Sequence, residues 1–154
     1  MEIKIVQANS TDHKDLTEIA LASKRYWGYP EEWIFAWKEQ LQITAEMIEN
    51  SLVYKAVSDG KTAGFYVLTG NSEKLELEHL WIKPENIGQG TGKILFEHAL
   101  IQAARSGASR VEIESDPNAL GFYKRMGAYQ VGTHAYGLER ELPVLWVDIK
   151  HAGL

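Results

Sequence analysis

The segment IGQGTGKILFEHAL, residues 87 to 100, sets glycine at 88, 90 and 92 directly before an apolar-periodic run. Glycine reaches positive φ and lets other groups approach the backbone, although it weakens any element it interrupts. Between a strand and a helix, such a turn presents backbone N–H groups beside the positive end of the helix dipole, an anion site suited to phosphate. Spacing narrows the motif. A Walker P-loop needs glycine five residues before its Gly-Lys pair and Ser or Thr after it, and those positions hold Ile87 and Ile94. The dinucleotide fingerprint needs glycine where Lys93 stands. Both are excluded, leaving G-x-G-x-G-K.

Acid–base candidates lie just upstream, in KLELEHLWIK at residues 74 to 83. Alternation places Glu76, Glu78, Leu80 and Ile82 on one face, with Leu75, Leu77, His79 and Trp81 on the other. Two glutamates on such a strand are costly unless their face is solvated or functional, and burial would raise their pKa values towards those of a useful base. His79 titrates near neutrality by nature, yet it shares a face with Leu77 and Trp81 and reads as a core histidine. The remaining histidines, His13, His98, His134 and His151, lack ligand spacing, so no metal is expected. The chain has no cysteine, which excludes disulfides, thiolate metal sites and a cysteine nucleophile.

These groups must be held by elements that the rest of the chain supplies. Residues 2 to 8 alternate like a first strand. Residues 10 to 27 carry a Ser/Thr/Asp cap and helical spacing at Leu16, Ile19, Ala20 and Ser23, broken by Gly28 and Pro30. PEEWIFAWKEQL restarts with proline in the first turn, two acids at the positive helix end, and Trp33, Trp37 and Leu41 on one face. TAEMIENS reads as a further short helical turn. Residues 52 to 70 form two β-rich runs joined by Asp59-Gly60, a hairpin signal, and residues 74 to 83 follow as a third strand. After the glycine turn comes a helix of about four turns to Arg105. A strand at RVEIES follows, then a short helix in PNALGFYKRMG closed by Gly127, and final strands in AYQVGTHAYG and LPVLWVDI. An antiparallel meander followed by strand-helix-strand units predicts an α/β fold with a mixed central sheet flanked by helices.

The chain is 154 residues long, 45% hydrophobic and 24% charged, which fits one domain spanning residues 1 to 154 with a real core. A net charge of -5 argues against broad nucleic-acid binding but leaves room for a small anion on a local positive patch. No apolar run approaches a membrane span and the N-terminal stretch lacks signal-peptide regions, so a cytoplasmic location is expected.

The stretch LELEHLWIKPENIGQGTGKILFEHAL resembles the central acyl-CoA-binding motif of the GNAT N-acetyltransferases. NALGFYKRMGA is similar to the family's next motif, an Asn followed five residues later by Tyr and then a Gly-hydrophobic end. Together they span roughly residues 74 to 128 in the family's order and spacing, and the succession of strands and helices also matches. The resemblance implies a GNAT-type sheet and acetyl-CoA as acetyl donor. It implies that the N–H groups of Gly88, Gln89, Gly90, Thr91, Gly92 and Lys93 cradle the CoA pyrophosphate. Leu80, Trp81 and Ile82 would hydrogen-bond the pantetheine arm as an added strand does. The family usually has Arg or Gln where this chain has Ile87; Gln89 and Lys93 are the candidates to compensate. Lys124 and Arg125 are either phosphate neighbours or solvated side chains.

Acyl transfer to an amine needs a neutral amine, a stabilised oxyanion and a proton for the departing thiolate. In many members of the family this strand supplies the base, directly or through water. Glu78 is nearest the expected thioester, with Glu76 or a water as alternatives, and a bulge would change which side chain faces the site. Tyr123 matches the family tyrosine that approaches the CoA sulfur, and a phenol can protonate a thiolate without being ionised at rest. Asn118 matches the residue that hydrogen-bonds the CoA arm and is also placed to cap its helix.

Acceptor recognition should lie outside these motifs. KRYWGYPEEWIFAW holds three of the five tryptophans. Tyr26, Trp27 and Tyr29 flank its helix break and are expected to line a cleft for the acceptor, whereas Trp33 and Trp37 read as core. Nearby acids favour a cationic acceptor, a small-molecule or peptide amine. The reading is thus an N-acetyltransferase that moves acetyl to a primary amine directly, within a ternary complex. Its rivals are a non-catalytic acyl-CoA-binding module, which Ile87 keeps open, and a phosphate-binding α/β protein outside the family. RELPVLWVDI is either an exposed terminal strand used in homodimerisation or simply a sheet edge.

Overall fold

The computed structural model describes residues 2–136 and 140–149. Its strands are β1 (Ile3–Gln7), β2 (Leu52–Ser58), β3 (Lys61–Gly70), β4 (Leu75–Ile82), β5 (Arg110–Glu114), β6 (Tyr129–Tyr136) and β7 (Arg140–Asp148). Its helices are α1 (His13–Tyr26), α2 (Glu31–Ala36), α3 (Lys38–Leu41), α4 (Ala45–Asn50), α5 (Thr91–Arg105) and α6 (Leu120–Arg125). The seven strands form one sheet in the order β1-β2-β3-β4-β5-β7-β6. β1 and β2 pair antiparallel, β4 and β5 parallel, and β7 antiparallel to both β5 and β6. This is the mixed sheet expected from the sequence.

Contacts divide the described chain into two compact units: one runs to Val67 and includes His79–His98, the other comprises Leu68–Glu78 and the residues from Ala99 onward. The first unit buries Leu16, Ile19 and Ala20 of α1 with Ile43, Val53, Phe65 and Val67, realising the helical spacing read from the sequence. Its β2–β3 hairpin turns through Asp59 at φ 52° and Gly60 at φ 76°, the two positive φ values that match strand twist. In the second unit Leu75, Leu77, Val111, Ile113, Leu145 and Val147 are buried; they alternate with the glutamates of β4 and β5 and with the half-buried Val144 and Trp146 of β7.

One expectation is corrected. RELPVLWVDI lies in β7, which is hydrogen-bonded on both sides, to β5 and to β6, so it is not an edge. The chain places β6 at the rim first and then returns to fill the gap beside β5. A strand-by-strand reading cannot see such a return. Edge-to-edge pairing of two copies on this side would use β6.

Candidate active site

β4 and the turn after it carry most of the candidate residues. The face alternation holds: Leu75, Leu77 and His79 are buried, Glu76 is half-buried and Glu78 is exposed. Neither glutamate is buried. The two carboxylates differ in their partners. Glu76 lies 3.5 Å from the Lys74 ammonium, which also reaches Glu112 at 3.7 Å, and Glu112 accepts the Trp146 indole N–H at 3.1 Å. Glu76 is therefore part of a structural charge network. Glu78 stands in solvent, with no ion-pair partner among the described residues.

His79 is the core histidine its face predicted. It is 6% exposed, its Nδ1 accepts the Trp81 indole N–H at 3.0 Å, and burial pushes its pKa down to about 4. The ladder between β4 and β5 closes after Glu76–Glu112. Leu80, Trp81 and Ile82 are half-buried beyond that point, and the Ile82 carbonyl accepts the Ser23 hydroxyl at 2.6 Å.

β4 passes through a single 3₁₀ turn, Pro84–Asn86, into the glycines. Gly88 and Gly90 have φ of 85° and 82°, and a Cβ built on either meets nothing within 4 Å. The left-handed backbone is what demands glycine here; the space beside it is open. Gly90 then starts α5, its carbonyl accepting the Ile94 N–H at 3.1 Å. Among the described residues, the N–H groups of residues 88 to 93 meet no acceptor. Those of Thr91, Gly92 and Lys93 belong to the first turn of a helix, where no intrahelical partner exists. The result is an open cradle of amide donors at the positive end of a 15-residue helix. Thr91 is 2% exposed and its buried Oγ1 has no hydrogen-bond partner among the described residues. Gln89 is bonded within the turn itself. Its side chain folds back on the turn, accepting from Asn86 Nδ2 at 3.3 Å and reaching the Glu85 carbonyl at 3.5 Å. Ile87 and Lys93 are exposed.

Tyr123 lies in the second unit, on α6, and is 6% exposed. Burial first, and then the charge of Asp116, raises its pKa, so the hydroxyl keeps its proton throughout the ordinary pH range. The end of α6 holds it firmly: the Ala128 N–H bonds to the Tyr123 carbonyl at 3.0 Å and the Gly127 N–H to that of Lys124 at 3.1 Å. With Gly127 at φ 99°, this is a Schellman closure. Asn118 does not cap α6. Asp116 caps the 3₁₀ turn before the helix, accepting from the Asn118 backbone N–H at 2.8 Å and from its side-chain amide at 2.9 Å. Lys124 and Arg125 are exposed.

The three predicted acceptor residues separate at Gly28, which turns at φ 83°. Tyr26 and Trp27 are exposed and packed edge-to-face at 5.3 Å. Tyr29 instead joins Trp37 at 5.1 Å and Trp33 at 6.2 Å. Trp37 is half-buried against the core as read, but Trp33 is 48% exposed. The sequence reading missed Lys24, which the same helical stripe buries beneath these rings. Among the described residues no group of His, Asp and Glu is arranged to hold a metal, and no helix is long and apolar enough to cross a membrane.

Residues 21–136 match the family model described as an acetyltransferase (GNAT) domain. Over 94 residues the chain is 35% identical to peptidyl-lysine N-acetyltransferase YjaB of Salmonella typhimurium, covering 60% of this chain and 61% of that protein. The chain thus matches somewhat under two thirds of that relative's length. The fold is similar to that of the PaiA N-acetyltransferase of Thermoplasma acidophilum, a structure in complex with coenzyme A. The TM-score is 0.79 at 23% identity, over 96% of this chain and 99% of that one. It is also similar to the ribosomal-protein-S18-alanine N-acetyltransferase of Escherichia coli, with a TM-score of 0.74 at 19% identity over 99% and 97% of the two chains.

Proposed function

Because the chain belongs to the GNAT acetyltransferase family, whose acyl donor is acetyl-CoA, we propose that it transfers acetyl from acetyl-CoA to a lysine side-chain amine of a peptide. The observation that carries this reading is the unpaired row of amides at residues 88 to 93 around two open, positive-φ glycines. A pyrophosphate needs such donors, and those of residues 88 to 90 add to the ones that the first helical turn leaves open. The amides of Gly88, Gln89, Gly90, Thr91, Gly92 and Lys93 hold the pyrophosphate. The part of β4 without a β5 partner, Leu80 to Ile82, bonds the pantetheine arm, and Asn118 contacts that arm. Glu78, solvated and unpaired, takes the proton of the incoming ammonium through water. The neutral amine attacks the thioester carbonyl, the tetrahedral intermediate collapses by breaking the carbon–sulfur bond, Tyr123 gives its hydroxyl proton to the departing thiolate, and the proton shed by the new amide nitrogen returns to the phenolate.

The peptide acceptor is supported by the peptidyl-lysine relative and by the exposed aromatic and acidic residues of 26 to 39, which suit a cationic chain better than a small polar amine. Tyr26, Trp27 and Tyr29 are its contacts. The cytoplasm, where acetyl-CoA is available, is the compartment this reading implies.

Calorimetry with acetyl-CoA tests the cradle. Gly90→Asn tolerates positive φ but places a side chain in the phosphate space, so affinity should fall at least roughly tenfold with little loss of stability. Unchanged affinity contradicts the cradle. Thiol release across blocked lysine peptides, polyamines and free amino acids tests the acceptor. Binding without release on any of them identifies a non-catalytic module, the outcome that the exposed Ile87 would then explain.

A further inference from the structure

The first unit buries a cation beneath its exposed aromatic segment. Lys24, in the last turn of α1, is 5% exposed. It follows Leu16 and Ala20 at four-residue steps, so the period that buries those residues carries Lys24 inward too. Its ammonium lies 4.9 Å from the Tyr29 ring centroid, 4.9 Å from that of Trp37 and 5.8 Å from that of Trp81. All three are within cation–π range. The rings come from three places in the chain: the break after α1, the junction of α2 and α3, and the end of β4. The adjacent Ser23 hydroxyl, bonded to the Ile82 carbonyl at 2.6 Å, fixes α1 against the end of β4. The ammonium is thereby held beside Trp81. Trp33 packs on the other two rings, 6.2 Å from Tyr29 and 6.0 Å from Trp37, and forms the solvent-facing layer.

An apolar side chain of the same length would fill this space without desolvating a charge, so stability alone does not explain a lysine here. What the ammonium adds is direction. It is attracted to ring faces and not to ring edges, so it specifies how each ring is turned as well as where it sits. We infer that Lys24 is a positioning residue: its buried ammonium orients Tyr29 and Trp37, and through them Trp33, as the wall that receives the acceptor. This rests on the proposal that the segment around the α1–α2 break recognises the acceptor.

Lys24→Met retains the packing and removes the charge, while Lys24→Arg retains a cation for the rings. The probe is an N-terminally blocked peptide with a single lysine. Lys24→Met should raise its KM roughly five- to tenfold, with kcat and the Kd for acetyl-CoA within about twofold of wild type. Amide hydrogen exchange should quicken in residues 28 to 38 and stay unchanged in 91 to 105. Lys24→Arg should restore both readouts, and Lys24→Gln serves the same comparison if Lys24→Met does not fold. Trp33→Ala separates the two ideas. If it leaves the peptide KM unchanged, the segment is not the acceptor wall, and hydrogen exchange alone then decides whether Lys24 orders it. Unchanged exchange in Lys24→Met overturns the inference, as does an arginine variant no better than methionine.

Discussion

The indole N–H of Trp81 donates to Nδ1 of His79 at 3.0 Å, joining two successive core-facing residues near the end of β4. An accepting Nδ1 leaves the ring proton on Nε2, so the imidazole is neutral. Burial lowers its pKa from 6.5 to about 4, so between those values the unfolded chain binds a proton that the folded chain does not. Its contribution to stability is therefore full above about pH 6.5 and is lost as pH falls towards 4, by at most roughly 3 kcal/mol. Urea unfolding from pH 7 to pH 4 should show a steeper decline in wild type than in His79→Gln. Parallel profiles would mean that His79 is not held neutral. As a buried structural group it should add no limb to the activity profile.

Glu78→Gln preserves shape and removes proton acceptance. With its carboxylate solvated and acting through water, kcat/KM should fall by about 10²-fold, the low end for a general base, while acetyl-CoA affinity is unchanged. Glu76→Gln, which only disturbs the Lys74 and Glu112 network, should leave turnover within about twofold of wild type. The reverse ranking in steady-state kinetics would move the base to Glu76.

Tyr123→Phe deletes one hydroxyl from a ring fixed by the closure of α6. Since water protonates a thiolate readily, kcat should drop only about 10–100-fold, with the CoA Kd little changed. The raised pKa of Tyr123 means that its ionisation produces no alkaline decline near pH 10. Such a decline, present in wild type and absent in Tyr123→Phe, would contradict the assignment.

Much of this was legible in the sequence because it rests on local patterns. Leu16, Ile19 and Ala20 at helical spacing, Asp59-Gly60 between β-rich runs, and Leu77 and His79 alternating with Glu76 and Glu78 each fix their structure within a few residues. The same holds for Gly88 and Gly90, whose positive φ is a property of the turn alone. What escaped depends on contacts distant in sequence. The partner of Glu76 includes a network reaching Glu112 and Trp146 on other strands. The insertion of β7 beside β5 depends on where β6 goes. The capping role assigned to Asn118 fell to Asp116, two residues earlier, because Pro117 opens a 3₁₀ turn before α6 begins. Lys24 sat in plain view on the buried stripe, but charge normally marks the solvent face, and the convergence of Tyr29, Trp37 and Trp81 around it joins segments far apart in sequence.

Thr91 provides a stability test at the mouth of the cradle. Its buried hydroxyl oxygen has no hydrogen-bond partner, and valine has the same shape without the polar atom. Thr91→Val should stabilise the protein by about 1 kcal/mol in thermal or urea unfolding. Acetyl-CoA affinity should hold, because the backbone amides make the contacts. A destabilised variant, or one that binds acetyl-CoA less tightly, would show that the hydroxyl has a partner in solution or in the complex.

Direct transfer carries acetyl from acetyl-CoA to a lysine amine with no acetylated form of the protein in between. A single-turnover experiment tests it, with the protein, equimolar acetyl-CoA and a blocked single-lysine peptide quenched at intervals and weighed intact by mass spectrometry. One acetyl group should appear on the peptide at the rate that free thiol appears, with an unmodified protein at every time point. Acetylated protein preceding acetylated peptide would contradict direct transfer, and thiol release without acetylated peptide would contradict the acceptor.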